Sequence, residues 1–163
     1  MITTPIIHAA RKLRQFPWLM NAARDVWRIT RPRYSAGSVG VIFNDTGAVL
    51  VVEHVFHAHC PWGLPGGYLD LREDPAVAVA RELREELELD VTVGPVLAVE
   101  RNYGAHLDFA YLCRAKNTIG RLSPELISYR WAHPAELPEL IPFHRRAIAA
   151  AQQQLNEKQV WTI

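Results

Sequence analysis

Three glutamates on one predicted helix are the residues of this chain best suited to chemistry. They lie in residues 81–86, which read RELREE, and they are Glu82, Glu85 and Glu86. Spacings of three and four residues place their carboxylates on one helix face. Like charges so placed are mildly destabilising unless a cation lies between them, and hard divalent cations prefer oxygen ligands. The run therefore predicts either a divalent metal site or, as is commoner for such a triplet taken alone, a solvated acidic surface.

The residues around this run decide between the two interpretations. The pattern is glycine, five residues, glutamate, seven residues, Arg-Glu-aliphatic, one residue and Glu-Glu, formed here by Gly67, Glu73, Arg81, Glu82, Leu83, Glu85 and Glu86. Six fixed identities and one aliphatic position arise by chance with a probability on the order of 10⁻⁸ per starting position. The pattern resembles the signature of the Nudix hydrolases. Residues 62–67, WGLPGG, also resemble the loop that leads into that signature.

This resemblance implies both a fold and a reaction. The fold would be α/β, a Nudix-type α/β/α sandwich with a mixed β-sheet, and the order of elements fits from Ser35 to Leu155. The reaction would be metal-dependent hydrolysis of a nucleoside diphosphate linked to another group. A nucleoside triphosphate, a nucleotide sugar and an ADP-ribose-like molecule all remain open as the substrate. The cofactor would be Mg²⁺, or alternatively Mn²⁺, because bound cations stabilise the charge on an attacked phosphoryl group.

The resemblance also implies roles for individual residues. The metal ligands would be the three helix glutamates, together with the carbonyl of Gly66. Glu73 would either support the metal shell or orient Arg81. The general base would be a helix glutamate, Glu85 or Glu86, or else a loop residue.

Three residues outside the signature complete the predicted site. Glu125, in a loop before a late strand, is the loop candidate for the general base; its alternative is an ordinary loop acid. Tyr103 and His106 flank a predicted turn beside the cleft and are the candidate substrate contacts. A role in the tip of that hairpin is the alternative for both.

The chain departs from the signature at three positions. Its final glycine is Glu88 here, where the helix usually ends in a left-handed turn that strains a glutamate by roughly 1 kcal/mol. Arg72 stands where many members have glycine, and Asp70 where many have glutamate. None of these departures removes a predicted metal ligand.

Two other functions remain open on the sequence. A non-catalytic Nudix-fold nucleotide sensor would bind without cutting, but such proteins typically lose signature glutamates that this chain keeps. An isoprenoid-diphosphate isomerase would need a cysteine and a glutamate in the cleft, and Cys60 lies near the loop that precedes the signature.

Local patterns predict the elements that must position these residues. Strands are predicted over residues 38–43, 49–54, 91–102, 107–114 and 126–131, and helices over 74–89, 134–137 and 142–155. Residues 44–47, NDTG, predict a hairpin turn between the first two strands. Residues 56–67 are rich in proline and glycine and predict a loop. Interleaved strands and helices favour helices packed on a mixed sheet.

The first 34 residues form a separate basic segment. Up to Arg33 there are seven Lys or Arg residues and one acid, whereas the rest has eleven basic and sixteen acidic residues. A helical pattern from Pro5 to Ile29 is interrupted at Pro17, so residues 1–34 are predicted as an amphipathic extension of a Nudix domain over residues 35–163. Packing on its own domain or on a twin subunit in a homodimer is favoured over contact with an anionic membrane.

Composition excludes several classes of function. The acidic body disfavours nucleic acid binding, so the expected partner is a small nucleoside diphosphate derivative. The chain has no apolar run of transmembrane length and no apolar block typical of a secretory signal. Cys60 and Cys113 are too few for a disulfide framework, so a cytoplasmic setting is expected.

Overall fold

The computed structural model describes residues 15–157, which fall into two units divided between Arg33 and Tyr34. The first unit contains helix α1, Pro17–Ile29. Pro17 takes the first helical position, where its missing N–H is not needed, and no residue of α1 is buried. The part of the predicted N-terminal helix that precedes residue 15 lies outside the described residues.

The second unit consists of seven strands and two α-helices in the described part of the chain. The strands are β1 Ser35–Ile42, β2 Val49–His54, β3 Trp62–Gly63, β4 Gly66–Tyr68, β5 Val91–Arg101, β6 His106–Ala115 and β7 Leu126–Ala132. The helices are α2 Pro75–Leu87 and α3 Pro142–Asn156, with a short 3₁₀ helix at Pro134–Glu136. One sheet has the order β4-β1-β6-β5 and the other the order β3-β2-β7. Strands β1 and β6 run parallel while their other neighbours are antiparallel, so the first sheet is mixed.

Strands β1 and β2 are buried on both faces over most of their length, because a helix covers each face. Alternate strand residues point to opposite sides. Val41 accordingly packs in a cluster with Phe143 of α3, while its neighbour Ile42 packs in a second cluster with Leu83 and Leu87 of α2. The predicted α/β/α sandwich with a mixed β-sheet is confirmed.

Two local predictions differ from the structure. Residues 44–47 form a turn, but β1 and β2 then enter different sheets and share only the bridge between Phe43 and Val49, so they do not form the predicted hairpin. The prediction of a loop throughout residues 56–67 was wrong where β3 pairs with β2 and β4 with β1. Glycine and proline signal loops locally, whereas these short strands are created by pairing with distant residues.

Helix α2 begins and ends with recognisable caps. The Asp74 carboxylate accepts the Ala76 backbone N–H at 2.8 Å, which satisfies a donor of the first turn. At the other end Glu88 has φ 50° and ψ 32°, and the Leu89 N–H donates to the Leu83 carbonyl. Arg72 also has a positive φ, 68°. Glu88 and Arg72, two of the departures from the signature, are thus residues held in the left-handed conformation that glycine adopts at less cost.

Candidate active site

The carboxylate face of α2 is organised around the guanidinium of Arg81. Its Nη1 donates to Glu82 Oε1 at 2.8 Å and to Glu85 Oε2 at 3.1 Å. Its Nε and Nη2 each donate to one oxygen of Glu73 at 2.9 Å, and Nη2 also donates to the Tyr68 carbonyl at 3.0 Å. The guanidinium therefore supplies a positive charge between two of the predicted metal ligands.

Glu73 acts on this cluster through Arg81. Both carboxylate oxygens of Glu73 accept hydrogen bonds from the guanidinium, and the Asp70 backbone N–H donates to Oε2 at 2.8 Å. The bonds from Arg81, and to a smaller extent the one from Asp70, lower the pKa of Glu73 to about 2. Glu73 is absent from the described residues that line the cleft. Of the two roles that the sequence left open for it, the geometry favours orienting Arg81.

Glu86 is the most buried of the acids, with 5% of its surface exposed. Burial raises its pKa to about 8, although the Gly66 backbone N–H donates to its Oε2 at 3.0 Å and opposes the rise. Repulsion from the neighbouring carboxylates Glu82, Glu125 and Glu85 is a smaller cause of the same rise in pKa. Without an added cation, Glu86 therefore holds a proton near neutral pH.

The two other helix glutamates differ from each other in exposure. The side chain of Glu82 is 16% exposed and that of Glu85 is 59% exposed. Burial raises the pKa of Glu82, while its hydrogen bond from Arg81 opposes the rise. Glu85 is thus the ligand candidate that solvent reaches most easily.

Two glycines allow the strand β4 to approach these carboxylates. Gly66 has φ 141°, and a Cβ on it would lie 2.1 Å from the Ser38 carbonyl oxygen, so no other residue fits there. A Cβ on Gly67 would lie 2.6 Å from the Glu82 carboxyl carbon. The close approach lets the backbone of β4 lie against α2 and brings Gly66 to Glu86.

A cleft of about 590 Å³ opens over this cluster. The three helix glutamates line it together with Glu125, whose carboxylate is near enough to raise the pKa of both Glu82 and Glu86. Cys60 is absent from the described lining residues, and its Sγ lies 3.5 Å from the Glu139 carbonyl oxygen. The thiol that an isomerase would need is therefore not brought into the cleft.

Tyr103 and His106 lie together at one side of the cleft. Tyr103 is 58% exposed, and its ring stacks on the His106 ring with centroids 4.8 Å apart. The Tyr103 hydroxyl lies 2.8 Å from that of Tyr68. His106 itself is 4% exposed, with Nδ1 2.7 Å from Ser35 Oγ and Nε2 3.0 Å from Asp108 Oδ1. Tyr103 is therefore accessible to a ligand, whereas the buried His106 contacts Tyr103 and Asp108 and is not itself exposed to the cleft solvent.

Histidines form another part of the cleft wall. The Leu64 N–H donates to His144 Nδ1 at 3.2 Å, and the rings of His54 and His57 lie 4.4 Å apart. Burial, with a smaller contribution from neighbouring histidines, lowers the pKa of His144 to about 3 and that of His54 to about 4. Near neutral pH these two imidazoles are therefore uncharged.

The comparisons with known proteins identify the family. The NUDIX domain matches residues 33–151, well over half of the chain. The chain belongs to the Nudix hydrolase family. A MutT-like protein from Streptomyces ambofaciens is 30% identical over 109 residues, covering 66% of this chain and 70% of that protein. The predicted resemblance and the predicted class of enzyme, a pyrophosphohydrolase, are confirmed.

Solved structures of Nudix proteins share the fold. A MutT Nudix hydrolase from Burkholderia pseudomallei is 25% identical, with a TM-score of 0.65 over 73% of this chain and 98% of that chain. An ADP-ribose pyrophosphatase from Streptococcus suis is 22% identical, with a TM-score of 0.62 over 78% of this chain and 93% of that chain. Within residues 15–157, no helix has both the length and the apolar character needed to cross a bilayer.

Nudix hydrolases generally use divalent metal ions, and the carboxylate cluster fits such an ion. In the described part of the chain, no three His, Cys, Asp or Glu side chains are already arranged as metal ligands. The reason is local: Arg81 draws Glu82 and Glu85 towards itself, while Glu86 receives a hydrogen bond from Gly66 and none from Arg81. A buried carboxyl with raised pKa among other acids, all with oxygen donors, is a site that a hard cation would stabilise.

Asp108, His54 and His144 are cleft residues that sequence reasoning missed. A signal for Asp108 was present, because Asp108 lies in the predicted strand 107–114, two residues after the candidate His106, and alternate residues of a strand share a face. The histidines carried no such signal, since β2 and α3 bring them together from distant parts of the chain.

Proposed function

We propose that this Nudix hydrolase cleaves a nucleoside diphosphate linked to another group, using Mg²⁺, with Mn²⁺ as a substitute. The observation that carries the proposal is the cluster of Glu82, Glu85 and Glu86 lining an open cleft, in which Glu86 is buried and accepts no hydrogen bond from Arg81. The Streptococcus suis neighbour is named as an ADP-ribose pyrophosphatase, which accords with a substrate of this class.

The three helix glutamates, with the backbone of Gly66, would hold the metal. The ion would neutralise charge on the attacked phosphoryl group and lower the pKa of a water molecule beside it. Oxygen donors alone suit Mg²⁺ and Mn²⁺ better than softer metals. Arg81 and Glu73 would act as positioning residues, because Arg81 holds two of the ligands and Glu73 fixes Arg81 through two hydrogen bonds.

Glu125 is our choice for the general base. It lines the cleft from a loop, and its backbone carbonyl accepts the Val55 N–H at 2.9 Å, which fixes the loop beside β2. Glu85 and Glu86 remain the alternatives on the helix. Glu86 is the weaker of these, because a carboxyl that is buried and hydrogen-bonded to Gly66 is better placed to bind a cation than to accept a proton.

Tyr103 would contact the substrate directly, because it lines the cleft and is more than half exposed. His106 would act only through its neighbours, since it is buried beneath the Tyr103 ring. A Tyr103→Ala variant should therefore raise KM, whereas His106→Ala should also lower stability.

Turnover tests the proposal directly. The purified chain is incubated with a nucleoside triphosphate, a nucleotide sugar, ADP-ribose or a dinucleoside polyphosphate, with Mg²⁺, Mn²⁺ or EDTA. We expect at least one substrate to be cut with either metal and none with EDTA. Glu82→Gln should raise the Mg²⁺ concentration needed for half-maximal rate, whereas Glu125→Gln should lower kcat at unchanged metal requirement. Ligand-induced stabilisation without turnover would instead support the sensor, and rearrangement of an isoprenoid diphosphate would support the isomerase.

A further inference from the structure

Helix α1 presents a continuous apolar face to solvent. At about 100° per residue, two alanines and six large apolar residues share an uninterrupted arc of about 200° around its axis. The large residues are Trp18, Leu19, Met20, Val26, Trp27 and Ile29. No residue of α1 is buried, and Val26, near the middle of the arc, is 62% exposed. The apolar face of α1 is therefore available for a partner.

The remaining, narrower arc of α1 is polar and carries a positive charge. It consists of Pro17, Asn21, Arg24, Asp25 and Arg28. Asp25 lies 4.0 Å from Arg28, but both side chains are well exposed, so the pairing is weak. Counted along the sequence up to Arg33, this segment has seven Lys or Arg residues and one acid. The surplus of positive charge is complementary to a surface that carries anionic groups.

The two tryptophans of α1 lie near opposite borders of the apolar face. Trp18 ends the arc on the side of Asp25, and Trp27 lies near its other end, on the side of Arg24. The Arg31 guanidinium packs over the Trp27 ring, with its Cζ 3.8 Å from the ring centroid. Tryptophan is enriched where hydrocarbon meets water, because its ring is largely apolar and carries one polar N–H. Both rings are thus placed for a membrane–water interface.

The width of the apolar face favours a lipid surface over a protein partner. A helix that packs against a protein core needs an apolar stripe of only about 100°. The arc on α1 is about twice as wide, so a flat protein contact would leave one of its borders in water. Lipid can surround the whole arc, while the apolar stems of Arg24 and Arg28 extend so that their guanidinium groups reach anionic headgroups.

We propose that α1 lies flat on an anionic lipid bilayer, with its apolar face at the boundary of headgroups and acyl chains, and so brings the hydrolase to a membrane surface. The proposal does not depend on the substrate or metal of the cleft. The packing favoured by the sequence, on the same domain or on a second copy of the chain, is the competing explanation. A helix of 13 residues offers limited apolar area, so binding should be reversible and should need both the apolar face and the arginines.

Co-sedimentation of the full chain with unilamellar vesicles tests the proposal. Vesicles of phosphatidylglycerol and phosphatidylcholine should bind it at least about 10-fold more tightly than vesicles of phosphatidylcholine alone, and roughly 0.5 M NaCl should remove most of this difference by screening. Arg24→Gln with Arg28→Gln should weaken binding to the anionic vesicles about 25-fold, because each arginine near such a surface contributes about 5-fold. Arg121→Gln with Arg145→Gln removes the same charge from exposed positions of the second unit, and this matched control should bind as the wild type does.

A second variant tests the apolar face without changing the charge. Leu19→Gln with Val26→Gln should weaken vesicle binding at least about 10-fold. Since α1 buries no residue, both α1 double variants should keep the melting temperature of the wild type and its rate of hydrolysis without vesicles.

Three results would overturn the proposal. The first is wild-type binding that is no tighter to anionic than to neutral vesicles. The second is wild-type affinity in either α1 double variant. The third is a dimer, seen by light scattering, that Leu19→Gln with Val26→Gln converts to a monomer while no vesicle binds; a second copy would then cover the face. None of these results bears on turnover in the cleft, so the proposed function is tested separately.

Discussion

Replacing Glu86 by glutamine should stabilise the metal-free protein while it abolishes activity. The folded state raises the pKa of this carboxyl from 4.5 to about 8, because burial disfavours its charged form. At pH 7 the unfolded chain is therefore ionised at Glu86 and the folded chain is protonated. The difference is about 1.4 kcal/mol for each pH unit between 4.5 and 7, or about 3 kcal/mol against the folded state.

The sign of the pH dependence follows from the same shift. For a carboxyl with a raised pKa, stability is complete below the unfolded pKa of about 4.5 and is lost as the pH rises towards 8. Glutamine cannot ionise, and its carbonyl oxygen can still accept the Gly66 N–H. The free energy of unfolding of Glu86→Gln should therefore exceed that of the wild type by less than about 1 kcal/mol at pH 5 and by about 3 kcal/mol at pH 7.

Urea denaturation in EDTA at the two pH values measures this difference, and the melting temperature should rise by roughly 5–10 °C at pH 7. Glu85→Gln is the matched control, because its side chain is 59% exposed and its pairing with Arg81 contributes at most about 1 kcal/mol. Adding Mg²⁺ should stabilise the wild type more than Glu86→Gln. A difference between variants that is the same at pH 5 and pH 7 would refute the argument from burial.

Three further substitutions have outcomes set by geometry. Arg72→Gly should raise the free energy of unfolding by about 0.5–1 kcal/mol in urea denaturation, because φ is 68°; an unchanged or lower value would mean that no strain is stored there. Gly66→Ala should lower the free energy of unfolding by on the order of 3 kcal/mol, since its Cβ would meet a carbonyl oxygen at 2.1 Å. Gly47→Ala, with nothing within 4 Å of its Cβ, should lower it by only about 1 kcal/mol. Equal losses in the two variants would contradict this argument. Glu73→Gln should lower kcat by about 10–100-fold in steady-state assays while the fold is kept, and full activity would show that Arg81 needs no support.

The sequence was sufficient to predict those elements whose signals lie in neighbouring residues. The helix predicted over residues 74–89 agrees closely with α2, which Asp74 caps, and the spacing of the helix glutamates predicted that they would share a face. Both predictions depend on residues within one or two turns. The position of Glu88 predicted a strained helix end, and its φ of 50° agrees with that expectation. Local backbone preferences and side-chain periodicity carry this information without any tertiary contact.

Local sequence patterns could not predict which distant residues pair in the sheets. Strands β3 and β4 each consist of glycine and one aromatic residue, so their own sequences do not predict a strand. Strand β3 forms because it pairs with β2, and β4 because it pairs with β1. The parallel register sets Asp108 beside Gly37, on the face of the sheet that also carries Val39. A one-residue change in this register would turn Asp108 to the other face, so only the fold could place it in the cleft.

The most direct test of the central claim is ³¹P NMR of a nucleotide sugar and of a nucleoside triphosphate with the purified chain and Mg²⁺ in ¹⁸O-labelled water. The proposed hydrolase should convert the diphosphate signals of at least one substrate into phosphomonoester signals, with ¹⁸O on one product, and EDTA or Glu86→Gln should prevent this. Diphosphate signals that persist unchanged with both substrates, while Mg²⁺ still stabilises the protein, would contradict the claim that the carboxylate helix serves hydrolysis.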